Sequence, residues 1–132
     1  MRYLLDTNIV IALLNDTASP LAQRARREHP GDLAISAIVA HELYYGAFKS
    51  RRRDHNLGVV DALQFAVLEF DRDDARCAGD VRAFLANSGT PIGPYDALIA
   101  GQALSRNLVL VTNNTREFSR VRGLQMDDWQ RV

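Results

Sequence analysis

The chain has 132 residues, 47% hydrophobic and 24% charged, proportions of an ordinary globular protein that exclude a disordered or fibrous chain. Sixteen Lys and Arg balance sixteen Asp and Glu for a formal net charge of +0, so any contact with nucleic acid must come from local basic patches. Cys77 is the single cysteine, which excludes an internal disulfide, and no apolar run approaches the roughly 20 residues that a membrane-spanning helix needs. Asp6 falls too early for a secretory signal, and the expectation is a cytoplasmic protein with one domain over residues 1–132.

Arg2–Leu5 is a short apolar run ending at Asp6 and predicts a buried strand. Ile9–Leu14 predicts a helix that Asn15-Asp16 closes. Ser19 as cap, with Pro20 in the first turn, predicts a second helix toward Glu28. After the break at Pro30-Gly31, Leu33–Ile35 predicts a strand, and Ser36 caps a helix to about Ser50. The basic run Lys49–Arg53 leads into a helix reaching Phe65. Val67–Phe70 predicts a third strand, and Asp71–Ala86 a helix that ends in the turn Asn87–Gly89. Ile92 belongs to a short connection, and Pro94-Tyr95-Asp96 opens a helix through Leu104. Leu108–Thr112 is the clearest strand; a short helix near Arg116–Ser119 and a strand around Leu124–Met126 follow. Strands alternating with helices predict an α/β fold, a three-layer α/β/α sandwich on a mostly parallel sheet.

Three acids occupy positions that helix packing alone does not require. Asp6 stands where the first strand meets a helix, the favoured place for a functional acid in an open α/β sheet, although a helix cap reads equally well there. Glu42 projects between Ile38 and Val39 on the side shared with Gly46, inside an arc that Leu43 and Ala47 extend. A carboxylate so placed needs a hydrogen-bond partner, a cation or an ion pair, for which Lys49 or a nearby Arg is the alternative. Asp96 heads a stripe of Ile99, Ala100 and Ala103, where the helix dipole also favours an acid. Three inward acids from separate elements repel one another, and a divalent cation removes the conflict. The polar segment after the strongest strand adds Thr112, Asn114 and Glu117 as ligands, as groups around the ligands, or as turn formers.

These segments resemble, in order and over nearly the whole chain, the motifs of the PIN-domain ribonucleases, and among them the VapC-type toxins of type II toxin–antitoxin pairs. Leu4-Leu5-Asp6-Thr7-Asn8 is similar to the first motif and Ser36 to Gly46, with Glu42 inside it, to the second. Asp96 to Ala100 is similar to the third, and Leu110 to Phe118 to the fourth. The resemblance implies a PIN-like sandwich and catalysis by Asp6, Glu42, Asp96 and Glu117. Metal ligation falls to Asp6, Glu42 and Asp96, with Asn114 standing where many relatives have Asp, so the fourth ligand is divided between Asn114 and Glu117. Thr7, Asn8 and Thr112 fall where relatives place polar groups around the acids. The implied cofactor is Mg²⁺, with Mn²⁺ suited to the same oxygens. The implied reaction is hydrolysis of an RNA phosphodiester to a 5′ phosphate and a 3′ hydroxyl, with initiator tRNA, cut in its anticodon loop, as the substrate suggested by the Thr112–Phe118 wording. The implied partners are a VapB-type antitoxin and a second copy of the chain, within a larger toxin–antitoxin assembly, with the Tyr44, Tyr45 and Phe48 side of the third helix as the contact between copies.

Basic residues fall in three clusters: Arg24, Arg26 and Arg27; Lys49, Arg51, Arg52 and Arg53; and Arg116, Arg120 and Arg122. Each reads as a solvated helix face or as a phosphate contact, and the second and third are the expected RNA flanks. His41 points away from Glu42, toward packing or an interface. Cys77 reads as a small boundary residue, and Trp129 as an anchor for the C-terminal segment. Two other readings compete. A haloacid-dehalogenase-like phosphoryl-transfer enzyme would use Asp6 as nucleophile, but such proteins typically carry a second acid two residues on, where this chain has Asn8. An inactive RNA-binding module would tolerate Asn114 but leaves the three intact acids without a purpose.

Overall fold

The computed structural model describes residues 1–130. In chain order the elements are β1 (Tyr3–Leu5), α1 (Thr7–Asn15), α2 (Pro20–Arg26), a 3-10 turn (Pro30–Asp32), β2 (Leu33–Ser36), α3 (Ala37–Lys49) and α4 (Arg53–Asp61). There follow β3 (Ala66–Leu68), α5 (Arg72–Asn87), α6 (Pro94–Ser105), β4 (Val109–Val111), α7 (Thr115–Phe118) and β5 (Met126–Asp127). The helix starts are chemically specified: the side chains of Asp6, Ser19, Ser36 and Asp71 accept hydrogen bonds from free backbone N–H groups of the helices they precede. No helix among the described residues is long and apolar enough to cross a membrane.

The strands form one sheet in the order β3-β2-β1-β4-β5, with every neighbouring pair parallel. Parallel neighbours cannot be joined by hairpins, so helices cross between them and cover the sheet. Leu4, Leu5, Ala34, Leu110 and Val111, from the three central strands, are fully buried. From β1 the chain steps outward through β2 to β3, then returns to build β4 and β5 on the other side of β1. The order therefore reverses between β1 and β4, where departing helices diverge and leave a crevice at the carboxyl ends of the strands.

Two boundaries differ from expectation. The fourth helix ends at Asp61 rather than reaching Phe65, because the chain must extend before it pairs Ala66 with Ala34 of β2. The third strand is Ala66–Leu68 rather than Val67–Phe70. The Glu69 carbonyl accepts hydrogen bonds from the side chains of Gln102 and Arg106 of the α6 segment, which draws the backbone out of the sheet.

Helices α5 and α6 make the most extensive helix contact among the described residues. A Cβ at Gly101 would lie 2.4 Å from the backbone N and Cα of Ala78, so glycine is required there for α6 to seat against α5. Beside this contact Asp74 is fully buried. It accepts hydrogen bonds from the Asp71 N–H, Gln102 Nε2 and the Arg106 guanidinium at 3.0–3.3 Å. Burial alone would raise the Asp74 pKa, but Arg106, the Asp71 backbone, Gln102 and Ser105 outweigh it and hold the carboxyl at about 2. The folded pKa lies below the unfolded one, so this stabilisation is complete above about pH 4 and is lost as the pH falls toward 2. The expected loss is about 2.5 kcal/mol, read by urea unfolding across that interval. Asp74→Asn should flatten that part of the profile.

Trp129 is buried in an edge-to-face contact with Tyr3 of β1, ring centroids 5.0 Å apart, and the Arg24 guanidinium lies over its ring at 4.5 Å. The anchoring expected of Trp129 is what the fold contains, and Arg24 is used there and in an ion pair with Glu28. Cys77 is half-buried on α5.

Candidate active site

Asp6 extends the central strand by one residue and sits at the switch between β1 and β4. Its N–H donates to the Val111 carbonyl at 3.0 Å. Its carboxylate is divided between two donors: Oδ1 accepts from the Thr7 N–H at 2.8 Å, and Oδ2 from the Thr112 hydroxyl at 2.9 Å. Oδ1 thus makes the helix-cap contact, while Oδ2 is turned to Thr112. Burial raises the Asp6 pKa, opposed by the bonds from Thr112 and Thr7.

Glu42 lies at the margin of the buried stripe of α3 rather than within it: Val39, Leu43 and Ala47 are buried, while Glu42 is half-buried and Gly46 exposed. Among the described residues its partner is neither Lys49 nor an arginine. The Thr7 hydroxyl donates to Glu42 Oε1 at 3.0 Å, so Thr7 ties α1 to α3 across the site. Asp96 stands in the first turn of α6, half-buried, above fully buried Ile99, Ala100 and Ala103. Its pKa is pushed up to about 6, first by burial and then by the negative charges of Asp6, Glu117 and Glu42, with Glu117 also in hydrogen-bond reach. That environment brings four acids from four elements into one neighbourhood.

Glu117 and Asn114 are joined by a hydrogen bond. Asn114 Nδ2 donates to Glu117 Oε2 at 2.9 Å, and the Asn114 N–H donates to the Thr112 hydroxyl oxygen at 3.0 Å. The amide thus holds the acid, and the Thr112 oxygen links that turn to Asp6. This orienting arrangement of Asn114 escapes the sequence, where its position alone suggests a ligand; the Thr-x-Asn-x-x-Glu spacing is the only signal of it. Asn8 is exposed and makes no side-chain hydrogen bond to the acids among the described residues, while Thr7 and Thr112 do.

Among the described residues no group of three such side chains converges on one point as a ready-made metal site. The donor chemistry nevertheless suits a hard divalent cation: the set is all oxygen, and the charges of three neighbouring acids and burial together raise Asp96. A cation offsets the same repulsion, and Thr7, Thr112 and Asn114 hold three of the four carboxylates in orientation. Thr112→Val should lower cation affinity by about 10- to 100-fold in calorimetry, while Thr112→Ser, which keeps the hydroxyl, should retain it.

The basic clusters divide. Arg51, Arg52 and Arg53 are exposed and border a hollow of about 590 Å³ with Phe48, Ser50, Asp54 and His55. Lys49 lies over the Tyr45 ring at 5.6 Å, and Arg116 is exposed on α7. Arg26, Arg120 and Arg122 have structural engagements, to the Thr17 carbonyl, the Pro91 carbonyl and the Phe84 ring. His41 is exposed and packs against Tyr95, ring centroids 5.7 Å apart. Tyr44 turns toward α4 and bonds Asp61, which leaves Tyr45 and Phe48 as the exposed aromatics of α3.

Residues 3–124 match the PIN domain family. The chain is 42% identical over 131 residues to a protein named tRNA(fMet)-specific endonuclease VapC from Shigella flexneri, and equally to one of that name from Salmonella typhimurium, with 98% of each chain covered. It is 36% identical to Ribonuclease VapC2 of Haemophilus influenzae, again over 98% of both. Among solved structures, DNA-bound VapBC from Salmonella typhimurium superposes with a TM-score of 0.93 at 42% identity, covering 98% of both chains. VapBC2 from Rickettsia felis, bound to a promoter DNA fragment, superposes with a TM-score of 0.90 at 32% identity, covering 98% of this chain and 99% of that one. With its acids gathered at the sheet's switch point and these likenesses along its length, the chain belongs to the PIN-domain family, within the VapC ribonucleases.

Proposed function

We propose that the protein is a Mg²⁺-dependent endoribonuclease, the toxin of a type II toxin–antitoxin pair, acting in the cytoplasm on initiator tRNA at the anticodon loop. The observation that carries the reading is the convergence on Asp96 of the charges of Asp6, Glu42 and Glu117, each delivered by a different element. The likeness to tRNA(fMet)-specific endonucleases supports the substrate, and the likeness to VapBC complexes supports an antitoxin partner of the VapB type. Exposed Tyr45 and Phe48 on α3 support contact with a second copy.

Asp6, Glu42, Asp96 and Glu117 would hold Mg²⁺ (or Mn²⁺), which when bound neutralises charge at the scissile phosphate and activates water. Thr112 and the Thr7 N–H fix the Asp6 carboxylate, Thr7 Oγ1 fixes Glu42, and Asn114 fixes Glu117, so the acids need little reordering as the cation and phosphate arrive. In the hydrolysis a water oxygen bonds to phosphorus as the bond from phosphorus to the 3′ oxygen breaks, leaving a 5′ phosphate and a 3′ hydroxyl. Arg51–Arg53 and Arg116 supply the positive charge that the acidic pocket lacks.

The test is cleavage by the purified chain of initiator tRNA against an elongator tRNA, with Mg²⁺ and with EDTA. Cleavage of the initiator alone, abolished by EDTA, is the expected result. Cleavage indifferent to EDTA would sink the mechanism, and equal cleavage of both tRNAs would remove the substrate assignment.

A further inference from the structure

The acids use one end of a larger surface. A cleft of about 370 Å³ opens between α1, α3 and α4, walled by Ile11, Leu14 and Val59, with Glu42, Gly46 and His55 also lining it. Ile11 and Leu14 are 41% and 39% exposed, although Ile9 and Val10 of the same helix are fully buried. His55 also borders the hollow of Arg51–Arg53. The surface is therefore continuous from three adjacent arginines, through an apolar cleft, to Glu42 of the acid cluster. None of the three arginines forms an ion pair among the described residues.

Gly46 supplies a second, independent observation. It lies within α3, where glycine is a poorer helix former than any residue but proline. A Cβ there would meet no atom within 4 Å among the described residues, so no packing contact among them calls for glycine. Gly58 and Gly79 also meet nothing, but neither lines this cleft. What the missing side chain does at position 46 is keep the cleft open beside the helix backbone, one turn from Glu42.

We infer that this cleft is a nucleobase subsite for single-stranded RNA, an inference that rests on the ribonuclease reading above. One base, turned out of its stack, enters between the apolar wall of α1 and the α3 backbone at Gly46, as unpaired bases do where proteins read RNA loops. Its phosphate on one side runs to the acids. The phosphates on the other side meet Arg51–Arg53, whose three positive charges outnumber the single acid Asp54 in that hollow and favour a polyanion over a protein segment as the occupant.

The test fills the cleft without touching the acids. Gly46→Leu should melt no lower than the unmodified protein and bind Mn²⁺ unchanged in calorimetry. Its KM for initiator tRNA should rise about 10-fold or more, with kcat little affected, as loss of one base contact requires. Gly46→Ala should shift KM by no more than about 3-fold. Ile11→Asp, at an exposed position, should raise KM as well, and so keeps the test intact if Gly46→Leu folds poorly. Replacing Arg51, Arg52 and Arg53 together by Ala should reduce the slope of log K against log salt by about 2. An unchanged KM in both cleft variants would overturn the inference. So would an unchanged KM joined to lost inhibition by the antitoxin, which would assign the cleft to the protein partner. If the unmodified protein cleaves no RNA, it is the ribonuclease reading that fails, a result distinct from either.

Discussion

Asp6→Asn is expected to abolish cleavage while leaving the fold as stable as before, or more so. Asp6 is 5% exposed, and burial raises its pKa, so the charge is held against the preference of its surroundings. Asn keeps an oxygen for the Thr7 N–H and is as good a helix cap as Asp, and it relieves the repulsion felt by Asp96. What it removes is the charge at the centre of the donor set. Residues that merely orient a metal ligand contribute about 10- to 100-fold, so loss of this carboxylate should exceed about 100-fold in kcat. Melting curves give the second readout. Mg²⁺ should raise the melting temperature of the unmodified protein by favouring the folded state that binds it, and should not raise that of the variant. A variant that cleaves within 10-fold of the unmodified chain would remove Asp6 from the mechanism.

Gly101→Ala should be the most damaging single methyl in the protein. The new Cβ would stand 2.4 Å from Ala78 backbone atoms, which cannot rotate away as the tip of a flexible side chain can. The helices must part along their contact, and the parting loosens the buried grip of Gln102 and Arg106 on Asp74. Overpacking typically costs 1–3 kcal/mol, and a backbone clash of this kind belongs at about 3 kcal/mol, or roughly 10 °C in melting temperature. Because α6 carries Asp96, the variant should also lose activity near its melting range. Gly58→Ala, in open space on α4, should be neutral or stabilising, and a similar loss there would refute the packing argument.

What could be read from the sequence followed from whether a residue's role was local. Asp6, Ser19, Ser36 and Asp71 announce helix starts because capping is a matter of three or four neighbours. The parallel sheet followed from the alternation of apolar runs with amphipathic ones. The inward acids were legible because Asp96 heads a stripe of residues that are all fully buried. Glu42 was legible for a reason that needed correction: it edges its stripe, and its partner is Thr7, 35 positions away. The rest depends on contacts that no period encodes. The grip of Arg106 on Asp74 spans 32 positions, and the extraction of Glu69 from the third strand follows from it. Asn114 stands where many relatives have Asp, and the bond that its NH₂ group makes to Glu117 depends on the turn geometry rather than on position alone.

The bond from Thr112 to Asp6 joins residues 106 positions apart, and Trp129 closes over Tyr3 from the far end of the chain. Contacts of such sequence separation form late, because their loop-closure entropy must be met before they contribute anything. Until β4 has paired with β1, Thr112 is not in place to hold the Asp6 carboxylate. The arrangement of the four acids is therefore complete only once Thr112 and Glu117 have joined Asp6, Glu42 and Asp96.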